Sequence, residues 1–367
     1  MRRPTMLIVL ATVVGMLLAA CGSSSPSTTG PGGITQASTL TAAGSTFAAP
    51  LYGDWGSLYQ ASNHVNVSYN AVGSSAGISD ILAKTVDFGA SDAAYAPSAT
   101  ETSSPTILNI PTAISAVVIT YNISALKGTT LNFSPQTLVD IFSAKINNWN
   151  NAEIAADNPG VKLPNLAITA VHRSDGSGTT NIFTSYLSAV SATWKATYGA
   201  STTINWPTSE LGGKGSSGVE ADVSQNDGAI GYVELTYAVQ NNTPAAGVKN
   251  AAGDYVTPTV SSVQNAVSQF DASTIPAGDN ITFSLLNEPG ATSYPIAGPT
   301  YILAYQQQTN GPAGLALVNF LNWGLTVGQA GEASLSYVKL PSAVVTRAQQ
   351  AVASITYNNT PLASPTS

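Results

Sequence analysis

From residue 39 onward two hydrophobic patterns take turns along the chain: short β-branched runs, and segments whose apolar positions recur every three or four residues. Val65-Asn66-Val67-Ser68-Tyr69 alternates as a strand does, and Ile78, Ile81 and Leu82 then mark one face of a helix. Ile114 to Tyr121 is a nearly continuous apolar run suited to a buried strand, followed by a helix carrying Leu138, Ile141 and Phe142. A turn-rich Asn147-Asn148-Trp149-Asn150-Asn151 separates it from a strand at Ala167 to Val171. Ile182, Phe183, Tyr186 and Leu187 fall at helical spacing, Thr300 to Tyr305 reads as a strand, and Gly314 to Leu325 reads as a mostly buried helix. Strands and helices in this alternation predict an α/β fold with mainly parallel pairing. No repeat of fixed period breaks the pattern.

Three of the predicted strand-to-helix turns share one design. Ala43-Gly44-Ser45-Thr46-Phe47-Ala48-Ala49-Pro50 puts a proline in the first helical turn, ahead of a buried face expected from Leu51, Trp55, Leu58 and Tyr59. Gly73-Ser74-Ser75-Ala76-Gly77 precedes the Ile78 helix. Arg173-Ser174-Asp175-Gly176-Ser177-Gly178-Thr179-Thr180 combines a cation, hydroxyls and glycines that let backbone amides approach a ligand. At a helix N-terminus the unpaired N–H groups and the dipole favour an anion, although a Ser/Gly/Thr turn serves equally as an ordinary cap. Three such turns converging would hold one small oxyanion.

The chain's first residues carry Arg2 and Arg3, an apolar run from Met6 to Ala20 and then Leu18-Ala19-Ala20-Cys21-Gly22, the pattern of a signal peptide ending in a lipoprotein cleavage box. Cleavage after residue 20 would leave Cys21 as the acylated first residue, lipid-anchored at the extracytoplasmic face of the cell membrane. Residues 21–38, rich in Ser, Thr, Gly and Pro, are expected to be a flexible tether. Removing residues 1–20 takes away two arginines and no acid, so 10 basic residues face 19 acidic ones and the formal charge is -9. That balance argues against nucleic acid as a partner. It leaves room for a small anion gripped by local amides, hydroxyls and one arginine. With Cys21 the only cysteine and His64 and His172 the only histidines, neither disulfides nor a multi-histidine metal site is available, and no cofactor is expected. Roughly 330 residues after the tether suggest two domains.

The ordered pieces Ala43-Gly44-Ser45-Thr46-Phe47 with Pro50, Gly73-Ser74-Ser75, Val86-Asp87-Phe88-Gly89-Ala90-Ser91-Asp92, Arg173 to Thr179, Leu211-Gly212-Gly213-Lys214-Gly215 and Gly228-Ala229-Ile230-Gly231-Tyr232-Val233-Glu234 resemble the phosphate-binding proteins that feed bacterial phosphate ABC transporters. The resemblance spans about residues 39 to 350. It implies a two-lobed periplasmic-binding-protein fold of type II, a monomer that closes on inorganic phosphate and passes it to a membrane permease. It also implies ligand contacts from Thr46, Phe47 through its backbone amide, Ser74, Asp92, Arg173, Ser177, Gly178 and Thr179, with Asp175 orienting the arginine. The lobes are expected at residues 39–118 with 292–367, and at 119–291, with crossovers near Ile114 to Tyr121 and Tyr294 to Ile302. The chemistry of the residues agrees. A guanidinium offers a planar fork of donors to phosphate oxygens. Asp92 can accept the proton that phosphate keeps near neutral pH, whereas sulfate has none to give and would face it acceptor to acceptor. Ala76, Ser45 and His172 depart from the commonest family pattern, which often has glycine, alanine and a second arginine there. Strand alternation points His172 away from the site.

Three other readings compete. Gly73-Ser74-Ser75-Ala76-Gly77 matches the G-x-S-x-G elbow of esterase-like hydrolases, with Ser75 as nucleophile and His172 downstream, but no HGGG-type segment accompanies it. Gly212 to Ser217 is not a P-loop, because Thr208 replaces its first glycine and Gly215 follows the lysine; it reads as a flexible turn shaping the second lobe. A non-catalytic surface interaction lipoprotein would not need the three oxyanion turns.

Overall fold

The computed structural model describes residues 29–97, 106–207 and 209–363. The expected signal peptide, the lipidation site Cys21 and the tether up to residue 28 lie outside them. The chain begins with two βα returns: β1 (Thr39–Gly44), α1 (Ala49–Asn63), β2 (Asn66–Ala71), α2 (Ser74–Leu82) and β3 (Phe88–Ser91). A long strand, β4 (Ile107–Asn122), leads to α3 (Pro135–Phe142) and a second set of returns: β5 (Thr169–Arg173), α4 (Gly178–Val190), β6 (Leu211–Gly213), α5 (Gly215–Gln225) and β7 (Ala229–Glu234). Then come α6 (Leu235–Asn241), β8 (Leu285–Leu286), β9 (Ile296–Tyr305), α7 (Gly311–Gly324) and α8 (Ser342–Ala353).

One nine-stranded sheet runs β2-β1-β3-β9-β4-β7-β5-β6, with β8 on β9. Mainly parallel pairing was expected, and the sheet is mixed. Pairs β1/β2, β1/β3, β5/β7 and β5/β6 are parallel, while β3/β9, β9/β4, β4/β7 and β8/β9 are antiparallel. Pairing is parallel only where a helix carries the chain back to the start of the next strand. The two strands in the middle are not entered that way. β4 pairs with β9 through residues 107–116 and with β7 through residues 117–122, so it belongs to both halves of the sheet. Both middle strands are buried over nearly their whole length, which explains why their sequences read as continuous apolar runs.

Each half has its own aromatic centre. Trp55, Tyr59, Phe88, Phe320 and Trp323 pack between α1, β3 and α7, and Phe142, Phe183, Trp206 and Tyr232 pack between α3, α4 and β7. On α1 the buried face is Leu51, Tyr52, Trp55 and Tyr59; Leu58, expected on it, falls at the edge of the stripe and is 49% exposed. The tether also ends earlier than residue 38. Ala37 N–H donates to the Pro312 carbonyl (2.9 Å), Asn319 donates to Gln36 (2.8 Å), and Ile34 packs partly against the core, so residues 29–38 lie along α7. At Gly30 a side chain would meet the Leu315 side chain at 2.7 Å, so the leucine would have to shift to admit one.

Candidate functional site

The site forms where helix N-termini from the two halves meet. On one side stand the β1–α1 turn with Ser45 and Thr46, the start of α2 with Ser74, and Asp92 just past β3. Opposite them stand the β5–α4 turn and the β6–α5 turn. Hydrogen bonds cross between the sets: Gly178 N–H to Ser74 Oγ (3.0 Å), Ser75 N–H to the Gly176 carbonyl (3.1 Å), Ser216 N–H to Thr46 Oγ1 (3.2 Å), and Thr46 and Ser216 hydroxyl to hydroxyl (2.9 Å). Each turn is built by its own sequence. Ser177 caps α4 by accepting the Thr180 N–H at 3.2 Å, and Pro50 opens α1 where no amide donor is needed. The β6–α5 turn is a fourth member of the set, beyond the three read from the sequence.

Arg173 leaves the end of β5 with its side chain 1% exposed. Nε donates to Asp175 Oδ1 at 2.8 Å and Nη2 to Asp175 Oδ2 at 2.5 Å. One edge of the guanidinium is thereby occupied by Asp175, and Nη1 turns inward, 3.4 Å from the hydroxyls of Thr179 and of Ser216. Burial works against the Asp175 charge, but the hydrogen bonds and charge of Arg173 outweigh it and hold the carboxyl below its usual range. Gly215 N–H adds a further bond to Asp175 Oδ1 at 2.9 Å, tying the fourth turn to the same ion pair.

Asp92 is 5% exposed and receives hydroxyls from three directions: Ser45 at 2.6 and 2.8 Å, Thr300 of β9 at 2.7 Å and Ser74 at 3.3 Å. Burial nonetheless pushes its carboxyl up to about 6 against the pull of Ser45, Thr300, Arg173 and Ser74. Gly178, the first residue of α4, lies so close that a Cβ there would stand 2.6 Å from the Asp92 side chain. A carboxylate and the positive end of a helix are thus brought together with a guanidinium behind them.

All the residues expected to bind or orient a ligand and placed among the described residues fall at this junction: Thr46, Phe47, Ser74, Asp92, Arg173, Asp175, Ser177, Gly178 and Thr179. Phe47 is there as the residue after Thr46 in the β1–α1 turn; its ring is buried and its carbonyl accepts the Tyr337 hydroxyl at 2.5 Å. His172 is elsewhere, stacked on Trp206 at 5.0 Å with Nδ1 2.8 Å from the Arg173 carbonyl, and burial holds its imidazole below its usual value. Ser75 donates to Thr202 at 3.1 Å, so the serine and histidine of the hydrolase reading are engaged with separate partners. Three further residues of the junction are not candidates on sequence grounds: Ser45, a departure from the commonest family pattern, Thr300, inside a strand-like run, and Ser216, in a turn that reads as flexible. A signal existed for Ser216, since a glycine and a hydroxyl ahead of a helix is the design of the other three turns.

A PBP superfamily domain matches residues 29–325. The phosphate-binding protein PstS of Pasteurella multocida (strain Pm70) is 39% identical over 316 residues, covering 86% of this chain and 90% of that protein. The PstS of Xylella fastidiosa (strain 9a5c) is 38% identical over 311 residues, 85% of this chain and 84% of the other. Among solved structures, the high-affinity periplasmic phosphate-binding protein PfluDING, bound with phosphate, superposes with a TM-score of 0.68 at 22% identity over 85% of this chain and 93% of that one. The two-lobed fold expected from the sequence is therefore the fold of this chain. With its motifs, its fold and its relatives in agreement, the chain belongs to the PBP superfamily and, within it, to the family of phosphate-binding PstS proteins.

Proposed function

We propose that this chain captures inorganic phosphate between its lobes and delivers it to the membrane permease of an ABC transporter. The observation that carries the reading is the contact of Asp92 with the N-terminus of α4, backed by the inward Nη1 of Arg173. Such a site has donors for three oxygens of an anion and one acceptor for a proton on the fourth. Phosphate near neutral pH satisfies both; sulfate leaves Asp92 facing a bare oxygen. The ligand contacts are Thr46, the Phe47 amide, Ser74, Asp92, Arg173, Ser177, Gly178 and Thr179, with Asp175 holding the arginine. The lobes divide as residues 39–118 with 292–367, and 119–291. The chain acts as a monomer, held at the extracytoplasmic face by lipid on Cys21, and no covalent chemistry is involved. Calorimetric titration with phosphate and with sulfate tests the reading: phosphate is expected to bind on the order of a hundredfold or more tightly than sulfate. Equal affinities would remove the role of Asp92, and no heat with phosphate would remove the reading itself.

A further inference from the structure

Glu234 ends β7 and the Gly228–Glu234 motif, and nothing so far gives it a role. It is 0% exposed, and among the described residues neither carboxyl oxygen makes a hydrogen bond of normal length and angle. Buried polar groups in that condition call for an explanation, and an ionised one would be among the costliest a fold can hold. Strand alternation puts Glu234 on the same face of β7 as Tyr232, whose hydroxyl accepts the Arg173 N–H at 3.2 Å and meets Thr180 Oγ1 at 2.7 Å. Glu234 therefore faces the phosphate site, one step nearer the strand's carboxyl end. The groups around it come from every neighbouring element: Ser216 of α5, Arg173 of β5, Asp92 beyond β3, Tyr237 of α6 and Tyr337. β4, paired opposite through Val117, brings no charged side chain.

The charges decide its state. Arg173 is already paired with Asp175, and Asp92 is a second acid, so an ionised third acid beside an incoming anion has no cation left to balance it. Burial pushes Glu234 well above the usual carboxylate range, against the pull of its own backbone N–H, of Ser216 and of Arg173. A neutral carboxylic acid has one proton to donate. Ser216 Oγ is a suitable acceptor, since it now shares its hydroxyl with Thr46 at 2.9 Å and stands 3.4 Å from Arg173 Nη1.

We infer that Glu234 is a positioning residue of the phosphate site: its protonated carboxyl donates to Ser216 Oγ and so commits the Ser216 hydroxyl to the bound anion. No proton changes owner in this arrangement, and it rests on the phosphate reading above. Phosphate titrations of the full chain, from neutral to alkaline pH, compare the wild type with Glu234→Gln and Glu234→Leu. The Leu variant keeps neither donor nor acceptor and is expected to bind on the order of tenfold to a hundredfold more weakly. The Gln variant keeps a donor at every pH and is expected to stay within about threefold at neutral pH. Wild-type affinity relative to the Gln variant should then fall as pH rises and Glu234 ionises; the titrations of Asp92 and of phosphate itself are common to both proteins and cancel in the ratio. Wild-type binding in the Leu variant, or a constant ratio across pH, overturns the inference alone. Absence of phosphate binding by the wild type overturns the phosphate reading and this inference with it. If the Leu variant does not fold, as judged by circular dichroism, the pH profile of the Gln variant decides.

Discussion

At the scale of single residues, the proposed selectivity turns on Asp92. Three hydroxyl donors would ordinarily hold a carboxyl low, but complete burial wins and pushes it up to about 6. Above that pH the group is an acceptor only and would discriminate against sulfate. Below it the carboxyl carries a proton that sulfate can accept, so the penalty disappears. The preference for phosphate over sulfate is therefore expected to shrink as pH falls through about 6, and Asp92→Asn, which has an amide donor at every pH, should show a small preference with no such step. Competition titrations on both sides of pH 6 measure this, and a preference unchanged across that range would remove the proton-acceptor role. The same shift affects stability with a definite sign. Because the folded state holds the Asp92 proton more tightly than the unfolded chain, this group's contribution to the stability of the ligand-free protein is lost as pH rises from about 4 to about 6.

Among the elements, the strands and helices were legible from hydrophobic periodicity because each buries one face or is buried outright. The turns were legible from glycine, hydroxyl and proline chemistry. What periodicity does not encode is which way a strand runs beside its neighbour, and β4 and β9 reversed the expected pairing for that reason. Nor does it encode contacts between distant elements. Thr300 reaches Asp92 across 208 residues, and its threonine sits in a run that any buried strand could contain. Leu58 shows the limit on a single helix, where the edge of the apolar stripe is set by what lies opposite. Gly178 shows the converse, a residue whose reason is visible only in three dimensions. An alanine there improves the intrinsic helix propensity of α4 by up to about 1 kcal/mol, yet its Cβ would stand 2.6 Å from Asp92 in the closed site. Gly178→Ala is thus expected to leave the ligand-free melting temperature unchanged or slightly raised while weakening phosphate binding by at least about tenfold. Thermal melts and titrations of the one variant test both halves; a variant that binds normally would show that α4 and Asp92 need not approach this closely.

For the molecule as a whole, the arrangement of the sheet offers a route by which the proposed binding would become motion. Among the described residues only β4 and β9 lie in the middle of the sheet between the two sets of helical returns, and across the cleft the halves are held by hydrogen bonds between turns. Hydroxyls such as Thr46 and Ser216 bond to one another where an anion would receive both, so the closed form has its donors already assembled but spends them on each other. Phosphate bound as proposed would engage donors from both halves at once and so stabilise only the form in which they meet. At about a hundredfold excess over its dissociation constant it adds about 2.7 kcal/mol to folding stability, which raises the melting temperature, and sulfate at the same ionic strength should add little. Closure is expected as a smaller radius of gyration in small-angle X-ray scattering when phosphate is added, with no change on adding sulfate. Thr46→Val separates closure from local binding. It removes one half's hydroxyl while leaving Arg173, Asp92 and the helix N-termini in place, so residual phosphate binding should be weaker and the compaction it produces smaller. Full compaction of that variant at saturating phosphate would mean that β4 and β9, rather than contacts shared between the lobes, set the closed state.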